Sequence, residues 1–311
     1  MVKSPNSSCH LCNRLVPEGA TFLERDGWSY VQCPDCGLVL LHPVPDEATL
    51  RSYYNGEYEV DFERYAKNIR QGAESILRDL KKQFPNRGRL LEVGCSYGGF
   101  LAEARRDGWE VAGVELSETA ACYARDKLNL RVFTGSLHDQ LQQLEAPYEV
   151  VALFHVIEHV PDPVQLLEQC RKLIRPGGLL VLKTPNVASL IARITKATWQ
   201  WVSPPAHLYL YSPKTLALLL EKAGYQPITF RSAQGDANNN LFAIMSSVAK
   251  RSILWSSGQP KSQLRKSLPV RIVERTCESV YYPFGLLIDP WLERRLWQPE
   301  LYAVASNASA Q

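Results

Sequence analysis

Three groups of residues in this chain have the types and spacing to do chemistry. The first is two C-x-x-C pairs, Cys9-x-x-Cys12 and Cys33-x-x-Cys36, separated by residues 13–32. Two such knuckles place four thiolates around Zn²⁺ and close its shell, leaving no position for water or substrate, so the implied metal is structural. A redox or disulfide pair is the competing reading. His10 and His42 lie nearby but are not needed as ligands. The second group is the stretch Leu90-Leu91-Glu92-Val93-Gly94-Cys95-Ser96-Tyr97-Gly98-Gly99-Phe100, where an apolar run stops at closely spaced glycines. Such a turn exposes bare backbone and a helix N-terminus to a ligand, and the carboxylate of Glu115, at the end of the next apolar run, suits ribose hydroxyls. The pattern is E-x-G-x-x-x-G rather than G-x-G-x-x-G, and there is no Walker lysine. The spacing therefore fits an adenosine ligand but speaks against NAD and ATP. The third group is His155, Glu158 and His159, at positions i, i+3 and i+4, with His207 further along. On a helix the first three share a face, and a neutral imidazole among them can accept a hydroxyl proton near neutral pH.

The elements that must position these groups follow from the apolar periodicity. Strands are expected near residues 89–94, 110–115, 131–134, 148–154, 178–184 and 226–232, alternating with helices, and a last strand over Leu301 to Ala305 completes a seven-stranded sheet. Pro176-Gly177-Gly178 breaks the helix before the fifth strand, and Ser212-Pro213 opens a helix that Gly224 ends. Ahead of this α/β core, residues 1–44 read as a zinc ribbon with short strands around Phe22-Leu23 and Tyr30-Val31. Residues 45–85 form a helical linker, with Asp46 capping a short helix through Leu50 and a longer helix running from about Tyr65 to Phe84. Within the linker, Tyr53-Tyr54-Asn55-Gly56-Glu57-Tyr58 is a candidate lid or an aromatic packing patch. The core occupies 86–235. Residues 236–298 carry apolar residues at helical spacing and a local excess of basic ones, as an inserted helical segment would, and 299–311 hold the last strand and tail.

With 311 residues, 45% of them hydrophobic, and a net charge of +3, the chain is long enough for one substantial core plus a smaller module. The charge is too small to demand nucleic acid. Met1 to Ser8 lacks the apolar stretch of a signal peptide, and no apolar run reaches membrane-span length, so a cytoplasmic location is expected. Cys95, Cys122, Cys170 and Cys277 are scattered and read as small apolar residues. Oligomeric state stays open. The 237–298 helices offer a peripheral membrane contact, a dimer face or a cover on the acceptor side.

From the glycine turn onward the residues resemble the class I S-adenosylmethionine (SAM) methyltransferase family. The likeness runs through LLEVGCSYGGF at 90–100, Glu115, FHVIEHVPDP at 154–163, LIRPGGLLVLKTPN at 173–186 and PAHLYLYSPKTLALLLEKAGY at 205–225, covering roughly residues 86–235. It implies a Rossmann-like α/β methyltransferase sheet, here with an N-terminal zinc ribbon and a C-terminal helical insertion. It also implies SAM as cofactor, held by Glu92, the Gly94-Cys95-Ser96-Tyr97-Gly98 turn, Glu115 and Leu116, with Phe154 near the methyl donor. After the third strand many relatives have an aspartate for the adenine amino group; this chain has Thr134-Gly135-Ser136-Leu137, so Ser136 and Leu137 are the substitutes. His155 and His207 are the candidate bases, and Tyr209 and Tyr211 candidate lining of the acceptor pocket. Relatives with E-x-x-E-H after the fourth strand bind a divalent metal; His155 replaces the first acid here, and a hydrogen-bonding role for Glu158 and His159 is the alternative. The function implied is methyl transfer to a small molecule or sugar, at oxygen. An RNA methyltransferase with a zinc module and a non-catalytic SAM-binding scaffold are the alternatives. The first is disfavoured because Leu153-Phe154-His155-Val156 is not the [DN]-P-P-[YFW] used on base amino groups, so no nucleic-acid partner is expected.

Overall fold

The computed structural model describes residues 8–16, 21–46, 49–50, 62–233 and 299–307. At the N-terminal end, β1 (Thr21–Arg25), β2 (Trp28–Gln32) and β3 (Val39–His42) form an antiparallel meander, its first turn made by Asp26-Gly27. Asp46 Oδ1 accepts from the Thr49 amide at 2.8 Å, the expected cap. The lid candidate at 53–58 and the 236–298 segment fall outside the described residues. The long helix α1 spans Phe62–Gln83.

From there apolar strands alternate with helices: β4 (Arg89–Val93), α2 (Gly99–Arg106), β5 (Glu110–Glu115), α3 (Glu118–Leu128), β6 (Val132–Thr134), α4 (Leu137–Gln140), β7 (Tyr148–Phe154), α5 (Pro163–Leu173), β8 (Ile174–Pro185) and α6 (Leu190–Thr195). The chain continues through β9 (Tyr209–Leu210), α7 (Pro213–Lys222), β10 (Gln226–Ala233) and β11 (Glu300–Ser306). One sheet has seven strands in the order β10-β11-β8-β7-β4-β5-β6. β8, β7, β4, β5 and β6 run parallel, and β11 is wedged antiparallel between β10 and β8. This is the α/β sheet expected from the strand rhythm. Helix α5 stops at Leu173, short of Pro176-Gly177-Gly178, and β8 begins at Ile174 with a register shift against β7 between Tyr148 and Val150. The prolyl-glycyl triplet is therefore a distortion inside a strand rather than a helix breaker.

The central strands are buried on both sides, with side chains alternating between two apolar clusters. Leu91, Val93, Val151, Leu153, Leu180 and Leu182 join α5 and α7 on one side. Leu90, Val150, Ala152, Leu179 and Val181 join α1, α2 and α3 on the other. The meander packs into the first cluster, where Cys33, Cys36, Leu38 and Leu41 are continuous with Leu208 and Tyr211. Its sheet has a fourth strand that the periodicity did not reveal: β9 pairs antiparallel with β3, Leu40 opposite Tyr209 and Val39 opposite Leu210. A two-residue strand carries no readable alternation. Among the described residues no helix is long and apolar enough to cross a membrane.

Candidate active site

The five parallel strands converge their C-terminal ends on one edge, where an open α/β sheet binds ligands. At the end of β4, Gly94 has φ +74°, and a Cβ there would lie 2.5 Å from Val156 Cγ2; Gly98 has φ +76°, with Leu130 Cδ1 2.6 Å from its would-be Cβ. Side chains are thus shut out twice over, by backbone conformation and by space. Glu115 is tied to this turn: its Oε2 accepts from the Ser96 amide at 2.7 Å and its Oε1 from the Ser117 amide at 2.8 Å. Burial raises its pKa and these amides oppose that rise. Each oxygen keeps a second lone pair for a ligand hydroxyl. Leu116, next in sequence, is 73% exposed, an apolar surface suited to a purine face. Glu92 is buried, its pKa pushed well up by burial and by Glu115, and its Oε2 has no hydrogen-bond partner among the described residues.

The flanks of this turn are aromatic. Tyr97 packs edge-on against Tyr123, and Phe100 edge-on against Phe154 at 4.7 Å between centroids. After β6, Ser136 caps α4 and its hydroxyl donates to Asp139 Oδ2 at 2.6 Å, while Leu137 is buried. Asp139, an exposed carboxylate, is held at the end of β6 by this bond. Cys95 and Cys170 are buried as small apolar residues; Cys122 instead is part-exposed and contacts Glu118 and Arg125.

At the end of β7 the arrangement is ionic. His155, with φ +55°, lies between two buried carboxylates, Nδ1 3.3 Å from Glu158 Oε1 and Nε2 2.9 Å from Glu300 Oε1. Glu300 in turn pairs with Lys183 Nζ at 2.8 Å, and Thr184 Oγ1 donates to Glu158 Oε2 at 3.0 Å. Burial works against charge on His155, but Glu300 and Glu158 outweigh it and hold the imidazolium up to about 9. Burial would likewise raise Glu158 and Glu300; His155 brings the former down to about 2, and Lys183 with His155 does the same for the latter. The four groups alternate in sign, so each buried charge has a partner.

The His155 ring stacks on Trp201 at 4.7 Å, and Trp201 in turn lies 6.0 Å from His207. Burial, then the neighbouring His159, push His207 down to about 3, so it is neutral at physiological pH. One side of its ring bonds the Trp201 backbone, whereas Nδ1 is buried without a partner among the described residues. His159 Nδ1 meets Ala206 O at 3.0 Å. Ligand atoms of Glu158, His159 and His207 lie within 4.8 Å of one another; Glu158 Oε2 accepts from Thr184, while Oε1 lies within ion-pair distance of His155 Nδ1 but has no hydrogen-bond partner among the described residues. Tyr209 and Tyr211 are buried, and Tyr209 donates its hydroxyl to Pro161 O at 3.0 Å.

Cys9, Cys12, Cys33 and Cys36 converge, with Cys9 and Cys36 sulfurs 3.5 Å apart, Cys12 and Cys33 3.4 Å apart, and all four within 4.8 Å. A tetrahedron with Zn–S bonds of about 2.3 Å has edges of about 3.8 Å, so the set fits zinc. Burial pushes Cys9 and Cys36 up, whereas amides of Cys36 and Asp35 bring Cys33 down to about 7.

Sequence reasoning missed Lys183, Thr184, Trp201 and Glu300. A signal existed for Lys183, a lone charge ending the apolar run Leu179–Leu182, since a buried charge needs a partner. Nothing comparable marked Trp201.

Comparison with known proteins fits this geometry. A family described as a methyltransferase domain matches residues 64–229. A ubiquinone biosynthesis O-methyltransferase of Caulobacter sp. (strain K31) is 34% identical over 175 residues, covering 53% of this chain and 69% of that protein. The protein of the same description from Cereibacter sphaeroides (strain ATCC 17025 / ATH 2.4.3) is 33% identical over 170 residues, covering 51% and 68%. Among solved structures, a putative sarcosine dimethylglycine methyltransferase from Galdieria sulphuraria aligns with a TM-score of 0.49 at 14% identity, covering 84% of this chain and 99% of that one. The chain belongs to the methyltransferase-domain family. It is a SAM-dependent methyltransferase, and SAM is its cofactor.

Proposed function

We propose that this enzyme methylates a hydroxyl oxygen of a small-molecule acceptor, using His207 on the acceptor side. Bound SAM supplies an activated methyl group on a sulfonium. The chain's own residues then have three tasks: hold the cofactor, hold the acceptor in line with the methyl group, and take the acceptor's proton. For the first, the backbone of Gly94, Cys95, Ser96, Tyr97 and Gly98 faces the methionine part, and the orphaned oxygen of Glu92 lies by the same turn. Glu115 takes the ribose and Leu116 a purine face, with Ser136, Leu137 and Phe154 at the neighbouring strand ends.

For the proton, the two histidines are not equivalent. Both nitrogens of His155 face carboxylates and its ring is held as an imidazolium, so it has no lone pair to offer. His207 is neutral, with one side of its ring on the Trp201 backbone and Nδ1 free of partners among the described residues. That observation carries the assignment of His207, rather than His155, as proton acceptor. Glu158 faces both rings and would stabilise His207 as it takes up charge. His155 then acts by fixing Glu158 and the Trp201 ring. Oxygen as the target is supported by the 33–34% identical relatives being O-methyltransferases.

Cys9, Cys12, Cys33 and Cys36 hold one structural zinc in this reading.

The test is transfer of tritium from methyl-labelled SAM into a cell extract, followed by identification of the labelled product. The expected outcome is label in a small molecule as a methyl ether, with His207→Ala losing on the order of a hundredfold in turnover at unchanged SAM affinity. Label confined to RNA, or full turnover by His207→Ala, would overturn the reading. Elemental analysis should give one zinc per chain, and ordered disulfides at the four cysteines would exclude it.

A further inference from the structure

The acceptor-side wall is held from outside the methyltransferase sheet. Each strand of the N-terminal meander contributes one tether to the segment that carries His207. From β1, Arg25 Nη1 donates to Trp199 O at 2.8 Å. From β2, the fully buried Tyr30 donates its hydroxyl to His207 O at 2.7 Å. From β3, the pairing with β9 is extended by the Leu41 amide donating to Leu208 O at 2.8 Å. The segment so held then grips the loop after β7, since the Leu208 and Tyr209 amides both donate to Glu158 O, at 2.8 and 3.2 Å.

The cysteine centre sits on the same structure. Lys222 Nζ, from α7, donates to the carbonyls of His10 and Leu11 within the first knuckle, at 2.6 and 3.3 Å. The His10 ring lies edge-on to Tyr209 at 4.3 Å. A path of hydrogen bonds and packed rings therefore runs from the four cysteines to the main chain of His207 and Glu158. The tethers from β1, β2 and β3 end on residues 199–210, away from the glycine turn and Glu115.

We propose that the meander and its cysteine centre are a positioning device for the acceptor-side wall, in which Tyr30 is the positioning residue for His207. Metal loading then sets the geometry of His207 and leaves SAM binding alone. A neutral imidazole that must meet a hydroxyl within hydrogen-bond distance tolerates little displacement, and its ring is placed by the main chain that Tyr30 holds. The inference rests on the readings above of His207 as proton acceptor and of the cysteines as zinc ligands, and its test separates their failures from its own.

The experiment is amide hydrogen exchange on the full chain, with the ¹⁵N imidazole resonances of His207 as a second readout and calorimetric binding of S-adenosylhomocysteine as a third. In Tyr30→Phe, which keeps the ring and removes the donor, exchange over 205–211 should quicken about tenfold, as expected for one lost buried hydrogen bond. The His207 resonances should shift, while exchange at 94–98 and 115–117 and the S-adenosylhomocysteine affinity stay within twofold. Arg25→Met should do the same over 199–203. Stripping the metal with a chelator should reproduce the Tyr30→Phe pattern in the unmodified chain. The proposal is overturned if exchange rises only over 21–42, if it rises equally in both halves of the cleft, or if the His207 resonances do not move. If the chain carries no zinc, the Tyr30→Phe arm still decides the tether; if His207→Ala keeps full turnover, the exchange pattern stands and only the chemical purpose of the wall is lost.

Discussion

At the end of β4 the proposed cofactor site consists of main-chain groups of five consecutive residues, Gly94 to Gly98, and a carboxylate that the same turn clasps. At the end of β7, on the proposed acceptor side, the wall is built from side chains of the β7 loop, β8, the segment before β9 and the start of β11. The first half is local, and its specificity comes from what side chains must not be there. The second is assembled from afar, and its groups are held by charge pairing and by a separate sheet. A cofactor common to many enzymes can be met by one short turn. An acceptor peculiar to one enzyme calls for side chains that can be exchanged without disturbing that turn.

The contrast is broken most directly at Glu300. Replacing it by Gln leaves the part-buried His155 with Glu158 alone and removes the carboxylate that Lys183 pairs with, and should cost about 3 kcal/mol of stability in urea unfolding, the lower end of the range for stripping one partner from a buried ion pair. A loss below about 1 kcal/mol would mean that the chain of charges is solvated and the acceptor half is no more demanding than a surface.

Gly94 and Val156 are where the halves touch. In Gly94→Ala the left-handed backbone and the methyl directed at Val156 Cγ2 should together cost about 2–4 kcal/mol. Val156→Ala should relieve the steric part but not the backbone part, so the double variant should recover some but not all of the loss. Complete recovery would show that space alone, not conformation, dictates the glycine. Next in size, Glu115→Ala should weaken S-adenosylhomocysteine binding by about 1–3 kcal/mol in calorimetry, with stability less affected. If affinity is unchanged in a folded variant, Glu115 serves only to tie Ser96 to Ser117.

These two halves were also unequally legible. The strands of the sheet, the turn at Gly94 to Gly98 and the carboxylate of Glu115 follow one another closely in sequence, so continuous apolar runs and local spacing reveal them. His155, Glu158, His159 and His207 were visible as chemical types, but their roles depend on Glu300 and Trp201, whose proximity is created by β11 inserting beside β8 and by the chain folding back before β9. Without Glu300, His155 reads as an ordinary imidazole free to take a proton; with it, Nε2 is paired and the ring is held as an imidazolium. The two-residue β9 had no pattern to read, so the meander looked like a separate ribbon although its fourth strand comes from the core.

The pH dependence of stability sharpens the same comparison with a smaller effect per unit. His155 is held up at about 9 in the folded chain against an ordinary value of 6.5. Between those values the folded state binds more protons than the unfolded one, so stability falls as pH rises. The contribution is complete below about pH 6.5 and is lost as pH passes through about 9. On the acid side Glu158 and Glu300, held at about 2, contribute above the ordinary carboxylate value of 4.5 and lose that contribution as pH falls toward 2. The groups facing His155 are Glu158, Glu300 and Lys183, with His159 and His207 close by. A single titrating group changes stability by at most about 1.4 kcal/mol per pH unit, so urea midpoints at pH 6 and pH 9 should differ by a modest, measurable amount. Glu300→Gln removes the charge that does most to raise His155, and should flatten this alkaline slope while leaving S-adenosylhomocysteine affinity at neutral pH nearly unchanged. An alkaline slope that survives in Glu300→Gln would place its origin in another group and return His155 to the pool of free bases. In that case the inequality between the two histidines would fall, and His155 would compete with His207 for the acceptor's proton.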